Sequence, residues 1–340
     1  MIHIQENIQL QPFNTFGIKA TAKYFCIIKS IEEFNELIQH PIYISEKRFF
    51  LGCGSNVLFT QDFIGLIIKV ELKGIAVVDE DDDRVLLKAN AGESWHNLVM
   101  YCVHNNYGGI ENLSLIPGTV GAAPIQNIGA YGVEIKEVIE KVDAIDVNTG
   151  EFLSFKREEC CFGYRESIFK SQLKEKYFIS SITLSLTKKN HHFNIYYGAL
   201  QEMMKQQNKS DVTIKTISDS VINIRRSKLP DPSMIGNGGS FFKNPTLSHD
   251  EFESLKKNDI TMPYYATENQ NVKIPAAWLI EQCGWKGKRI NNIGVHQHQA
   301  LVLVNYGDGN GNEIFQLSKA ISLSVYEKFG ITLSTEVNIL

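Results

Sequence analysis

The chain has 340 residues, 43% hydrophobic and 21% charged, which fits roughly two globular domains and excludes disordered and fibrous classes. Thirty-four Lys and Arg against 38 Asp and Glu leave a net charge of −4 with no basic run, which argues against a general nucleic-acid or anionic-membrane binder. The six cysteines, Cys26, Cys53, Cys102, Cys160, Cys161 and Cys283, form no Cys-x-x-Cys pair and no zinc-ligand spacing with histidine, so they read as scattered thiols of a reducing cytosol.

Residues 1–10 lack the basic start and apolar core of a signal peptide. Residues 23–29 read as a strand and 31–39 as a helix. A strand at 48–51 runs into Gly52-Cys53-Gly54-Ser55-Asn56, and 66–70 is another apolar run. The acidic cluster 79–83 lies between the runs 75–78 and 85–89 and reads as a solvated hairpin turn. Residues 95–105 read as a helix that ends before Tyr107-Gly108-Gly109. Residues 112–133 carry no charge but hold four glycines and two prolines, which argues for a buried, glycine-rich loop system rather than a membrane helix. Runs at 142–147 and 151–155, joined by Asn148-Thr149-Gly150, form a hairpin signal. Residues 178–186 read as a strand, 188–192 as an exposed turn and 211–226 as a helix. The prolines Pro230 and Pro232 mark a boundary. Beyond it, helices are expected at 276–283 and 313–329, with a strand at 300–304. No repeat of solenoid or propeller period is present.

The Gly52 turn is not a dinucleotide-binding fingerprint, because Val57 stands where the third glycine is required. It is either an ordinary tight turn or a nest of backbone N–H groups for a phosphate. The second glycine-rich element, 116–124 and 126–132, has the small residues that let backbone approach a ligand. Arg165 sits in an apolar neighbourhood, where it either pairs with Glu166 or another acid or serves an anion. Ser240 follows two glycines and reads alone as a turn or cap residue, without the Gly-x-Ser-x-Gly of an acyl-transfer elbow. His296 and His298 lack a third ligand signal and read as polar surface or hydrogen-bonding residues. Glu336, taken singly, reads as solvated.

Taken in order, these segments are more informative. Asn14-Thr15-Phe16-Gly17, then 51–58, 115–132, Arg157-Glu158-Glu159-Cys160 with 162–169, Lys228-Leu229-Pro230-Asp231-Pro232, 236–245, 276–281 and Glu336 resemble the UDP-N-acetylenolpyruvoylglucosamine reductase (UDP-N-acetylmuramate dehydrogenase) family. These are flavoenzymes of bacterial cell-wall precursor synthesis, and the resemblance runs from about residue 10 to 340. It implies an α+β chain with an FAD-binding fold of the vanillyl-alcohol oxidase (PCMH) type. That fold comprises two α/β subdomains, 1–70 with 331–340 and 71–227, followed by an α+β substrate-binding domain at 228–330. It implies a cytoplasmic enzyme with non-covalent FAD that takes hydride from NADPH and reduces UDP-N-acetylglucosamine-enolpyruvate to UDP-N-acetylmuramate. No metal, nucleic acid, membrane or obligate protein partner is implied.

Residue by residue, the resemblance makes Arg165, Ser240 and Glu336 catalytic: Ser240 as proton donor, Arg165 and Glu336 as stabilisers of the enolate. Gly52, Cys53, Gly54, Ser55, Asn56, Val57 and Leu58 would cradle the pyrophosphate, Cys53 as a spacer and not a covalent attachment point. Pro117, Gly118, Thr119, Gly121, Ala122, Ala123, Ile125, Gln126, Asn127, Gly129, Ala130, Tyr131 and Gly132 would line the cofactor, with Arg225 near the flavin. Tyr197, Lys228 and Asn244 match residues that hold the diphosphate and sugar; Tyr265, Lys273 and Gln299 match positions that cover or orient the substrate. Tyr197 and Tyr265 point to the longer type of the family, and Tyr264 competes with Tyr265 for its place. Ala122 and Ala123 stand where some members carry serines. Two other readings are a flavin-dependent oxidase of an alcohol or sugar, and a nucleotide-sugar binding protein without chemistry. Arg165, Ser240 and Glu336 together speak against the second.

Overall fold

The computed structural model describes residues 2–205, 211–256, 261–267 and 271–340. They divide into two compact units. The first comprises Met1–Ile8, Ala22–Cys53 and Ile64–Ser227, the second Gln9–Thr21, Gly54–Phe63 and Lys228–Leu340.

The first unit holds a four-stranded sheet, in the order Gln5–Gln9, Thr21–Ile28, Phe63–Val70, Arg48–Leu51. Phe63–Val70 buries the run Leu66, Ile67 and Ile68 on both faces, and Arg48–Leu51 lies parallel to it. The helix Ile31–Leu37 begins where the Ser30 side chain accepts the Glu33 N–H at 3.2 Å. Its buried Phe34 packs edge-on to Phe178 with ring centroids 4.6 Å apart. A second, five-stranded antiparallel sheet runs Phe152–Lys156, Ile139–Asp146, Tyr177–Thr187, Arg84–Asn90, Ile75–Glu80. The helix Trp95–His104 buries Trp95, Leu98, Val99 and Cys102 in one core with Val85, Leu87, Ile182 and Leu184. The helix Ile214–Lys228 buries Ile217, Val221 and Ile224 with Leu200 and Met204 of Gly198–Met204, an apolar face set by helical spacing.

The second unit contains the antiparallel sheet Gly236–Ser240, Val302–Asn305, Ile293–Val295, Arg289–Ile290. Its long helix, Gly311–Phe329, is set by a capping box between Asn310 and Glu313 and stops at Gly330. Asn338–Ile339 pairs in parallel with Val57–Leu58, so the last residues of the chain close on the segment after the Gly52 turn.

Most elements appear within a residue or two of their sequence expectation. The acidic turn forms because the Asp81 carboxylate accepts the Asp83 and Arg84 N–H groups, and the Asp146 carboxylate does the same for Asn148 and Thr149 in the next hairpin. The neutral stretch 112–133 forms short 3-10 turns and the hairpin Gly129–Ala130 with Val133–Glu134. Among the described residues no helix is long and apolar enough to cross a membrane. One expectation is corrected: 188–192 is not an exposed turn throughout. His191 folds inward, its Nδ1 lies 2.7 Å from Thr187 Oγ1, and its Nε2 is buried without a partner among the described residues.

Candidate active site

The turn after Arg48–Leu51 is shaped by what a side chain would hit. Gly54 has φ +67°, and a Cβ there would run into the Phe13 carbonyl oxygen. A Cβ on Gly52 would sit 2.5 Å from Thr119 Oγ1, so Gly52 lets the turn close on the second glycine-rich element. The backbone N–H groups of Cys53, Gly54 and Ser55 have no hydrogen-bond partner among the described residues. Successive backbone donors left open in a tight turn are the raw material of an anion-binding nest. Cys53 is exposed, while Val57 and Leu58 are buried in the short parallel pair with Asn338–Ile339. The Asn56 side chain donates to the Glu336 carbonyl at 3.2 Å.

The second element is pinned to the end of the strand Arg84–Asn90. The Trp95 N–H donates to Gly118 O, Val120 N–H to Glu93 O and Gly121 N–H to Ala91 O, at 3.0, 2.9 and 3.0 Å. Thr119 bridges Ser94. Ala122 is exposed, whereas Ala123 is buried, so a serine at 123 would place its hydroxyl in the core. Pro117 and Ile125 are exposed and Gln126 is half-buried. The Asn127 side chain is committed to protein: its amide donates to Glu134 Oε2 and Gly163 O and accepts Lys136 N–H.

Around the hairpin Gly129–Ala130 the functional candidates converge. Arg165, at φ +53° in the turn closed by Gly163 and Glu166, donates from Nη2 to Gly129 O at 2.6 Å and from Nη1 to Asn127 O at 3.4 Å. Arg225, on the helix Ile214–Lys228, donates from Nε to Leu115 O at 3.2 Å and meets the Tyr131 hydroxyl. Burial pushes the Arg225 guanidinium below its usual range, the Tyr131 hydroxyl opposes this and the Arg165 charge adds to it. Burial likewise raises the Tyr131 phenol, against the pull of Arg225. Tyr197, 47% exposed at the start of Gly198–Met204, is in electrostatic reach of Tyr131. Gly132 is exposed beside Asn194, and Ala130 is half-buried. Sequence reasoning missed Asn112, which holds this hairpin. It is buried, and its amide donates to Tyr131 O at 2.9 Å and Asn194 O at 2.7 Å, while its Oδ1 has no partner among the described residues.

In the second unit, Ser240 ends the strand Gly236–Ser240 and pairs with Val302, after an irregularity in the ladder between Asn237 and Ser240. It is half-buried, and its hydroxyl has no hydrogen bond among the described residues, so it does not cap the turn. Just beyond it, Glu336 N–H donates to Phe241 O at 2.8 Å and Phe242 bridges Thr335. Glu336 is therefore half-buried on the segment alongside the serine strand, not a free surface carboxylate. Asn244 Oδ1 accepts the Ala276 N–H at 2.9 Å at the start of the helix Ala276–Gln282. Lys273 lies opposite both Thr246 and Tyr265 in a small sheet. Tyr264 and Tyr265 are almost equally exposed, at 49% and 52%, and differ in that the Tyr264 ring packs on Phe252 at 4.7 Å. Gln299 Oε1 accepts Leu301 N–H at 3.3 Å. Lys228 is exposed and has no partner among the described residues. His296 is buried, with Nδ1 accepting the His298 N–H at 3.4 Å. Among the described residues no group of His, Cys, Asp and Glu could hold a metal ion.

The family model described as an FAD binding domain matches residues 22–156. The chain is thus an α+β protein with an FAD-binding fold, and FAD is its cofactor. A second model, described as the C-terminal domain of UDP-N-acetylenolpyruvoylglucosamine reductase, matches residues 231–340. Curated proteins of that name from Flavobacterium johnsoniae and Amoebophilus asiaticus are 48% and 49% identical, over 100% and 99% of both chains. The one from Pseudomonas putida is 41% identical over 98% of each chain. The crystal structure of UDP-N-acetylenolpyruvylglucosamine reductase from Thermus caldophilus shares the fold with a TM-score of 0.70 at 20% identity, covering 100% of this chain and 99% of that one. The chain belongs to the UDP-N-acetylenolpyruvoylglucosamine reductase family and is an oxidoreductase.

Proposed function

We propose that this protein reduces the enolpyruvyl ether of UDP-N-acetylglucosamine-enolpyruvate to UDP-N-acetylmuramate, with NADPH as hydride donor, in peptidoglycan precursor synthesis. The relatives carry the name of that reductase over their full length. Residues 1–70 with 331–340 and residues 71–227 serve as two FAD-binding subdomains, and 228–330 binds the substrate. The pairing of Asn338–Ile339 with Val57–Leu58 joins the C-terminus to residues of 1–70, both segments lying in the second compact unit.

Bound FAD would supply a two-electron hydride carrier between NADPH and the methylene carbon of the enol ether. The free N–H donors of Cys53, Gly54 and Ser55 hold its pyrophosphate, and Arg225 keeps a cation beside Tyr131. Arg165 stabilises the negative charge that develops beside the substrate carboxylate; its bonds to Gly129 O and Asn127 O fix the guanidinium in advance. Glu336 serves as the acidic group of the same step, as the resemblance implies. The hydroxyl of Ser240 gives its proton to the carbon next to that carboxylate. Lys228 and Asn244 take the diphosphate and sugar with Tyr197, while Tyr265, Lys273 and Gln299 cover and orient the substrate. Hydride and proton add across one carbon–carbon double bond, which balances the oxidation of one NADPH.

The observation that carries these assignments is the half-buried Ser240 hydroxyl, uncommitted to any protein acceptor among the described residues, on the strand beside Glu336. Anaerobic stopped-flow absorbance of Ser240→Ala tests it. Flavin bleaching by NADPH should keep a rate close to wild type, while reoxidation by the enol ether falls by about 10²–10⁴-fold. Ser240→Cys should retain more activity than alanine. Equal slowing of both half-reactions would move the acid elsewhere.

A further inference from the structure

The turn Asn14-Thr15-Phe16-Gly17 has no part in the chemistry above, yet three pieces of the second unit meet on it. Asn14 makes it rigid: its buried amide donates to Leu10 O at 2.8 Å and Ile18 O at 3.0 Å and accepts Ile18 N–H at 2.9 Å. Thr15 then faces two ways. Its N–H donates to Gly54 O of the phosphate turn at 3.1 Å. Its carbonyl accepts the Asn237 N–H at 2.9 Å, and its hydroxyl donates to Asn237 O at 2.6 Å. Phe16 is buried under the same strand: a Cβ on Gly238 would lie 2.5 Å from Phe16 Cε2, and Phe16 meets the Phe241 ring edge-on at 6.4 Å.

The ladder between Gly236–Ser240 and Val302–Asn305 is irregular between Asn237 and Ser240. The ladder resumes at Ser240, opposite Val302, with Phe241 N–H donating to Leu301 O at 2.8 Å, so regular pairing leaves only residues 238–239, the lead-in to the serine, unfixed. Asn237 fixes the next step, since its Oδ1 accepts the Gly239 N–H at 3.0 Å, and Thr15 grips Asn237 from both backbone polar groups. We propose that Thr15 is a positioning residue for the reductive step, its hydroxyl setting the serine strand against the phosphate turn and so the place of the Ser240 hydroxyl. It rests on the reading of Ser240 as the proton donor. Thr15 touches neither cofactor nor substrate in this role.

The test is a double-mutant cycle on the holoenzyme with Thr15→Val, which keeps size and both backbone bonds but removes the hydroxyl, together with Ser240→Ala. Misplacing a catalytic group by about 1 Å can cost on the order of 10²-fold, so Thr15→Val should slow reoxidation by substrate by roughly 10- to 100-fold. The Michaelis constant, the rate of flavin bleaching by NADPH and the affinity of flavin-free protein for FAD, read by fluorescence quenching, should stay within about 3-fold. Thr15→Ser should restore the wild-type rate. In the Ser240→Ala background, Thr15→Val should add nothing, because the group it places is gone. Additive losses, or equal slowing of both half-reactions, would reduce Thr15 to a general structural staple. A slow Ser240→Ala with a fast Thr15→Val would overturn the positioning role and leave the serine assignment standing. A fast Ser240→Ala would overturn the serine assignment first, and the role of Thr15 with it. If Thr15→Val does not fold, Thr15→Ala and Thr15→Ser carry the same comparison, and a serine variant as slow as alanine overturns the role.

Discussion

Gly54 shows how much one position can carry. It needs a positive φ, and a Cβ would strike the Phe13 carbonyl, while its own carbonyl accepts from Thr15 and its N–H is free for a ligand. Gly54→Ala should cost about 1–3 kcal/mol and release flavin; purified variant with wild-type flavin absorbance per chain would contradict this. Lys228 is the opposite kind of residue, exposed and uncommitted among the described residues. A lysine facing a diphosphate contributes uniform binding. Lys228→Ala should therefore raise the Michaelis constant for the sugar nucleotide roughly 10-fold or more and change the turnover number little. A fall in turnover number at unchanged Michaelis constant would place Lys228 in the chemical step. The sequence assigns the covering role to Tyr265 with Tyr264 competing for it, since neighbours share local signals. Packing separates them by giving Tyr264 to Phe252.

At the level of elements, the five-stranded sheet buries a charge. Asp143 is 1% exposed and takes Lys88 at 3.0 Å, Lys141 at 3.3 Å and the hydroxyls of Ser154 and Ser181 at 2.8 and 2.9 Å. Burial raises its carboxyl, but the bonds from Lys88, Ser154 and Ser181 outweigh this and hold it below the usual carboxylate range. A depressed folded-state value contributes stability above the unfolded pKa of about 3.9, and that contribution is lost as pH falls through the folded value. Asp143→Asn should therefore lower the melting temperature near neutrality, with the gap to wild type closing below about pH 4. A gap independent of pH would contradict it. The short pair Asn338–Ile339 with Val57–Leu58 was not visible in the periodicity of either segment, because two-residue strands have none. Removing residues 338–340 should lower flavin retention without unfolding the five-stranded sheet, measured by flavin absorbance and thermal unfolding.

For the whole molecule, the fold persists against the Thermus caldophilus reductase at 20% identity. On the proposed function the protein should purify yellow with one non-covalent FAD per chain, because the turn after Gly52 offers N–H donors and Cys53, free and exposed, is assigned as a spacer. Acid precipitation should release the flavin into the supernatant. Colour held in the pellet would show a covalent bond and overturn the role given to Cys53.

The sequence by itself determined the features that depend on neighbours a few residues apart. These include the helices Trp95–His104 and Gly311–Phe329, the hairpin turned by Asp146, the glycine-dense turns and the ordered wording by which the family was recognised. Apolar spacing, caps and turn carboxylates act within one or two turns of chain, so they are written locally. Tertiary structure alone decided which partners those groups meet. It turned His191 inward, spent the Asn244 oxygen on the Ala276 N–H and left the Ser240 hydroxyl free among the described residues. It also brought Thr15 to Asn237 across 222 positions. A hydrogen-bonding group carries no mark of which distant partner will satisfy it; closure of the chain around a shared core makes that choice.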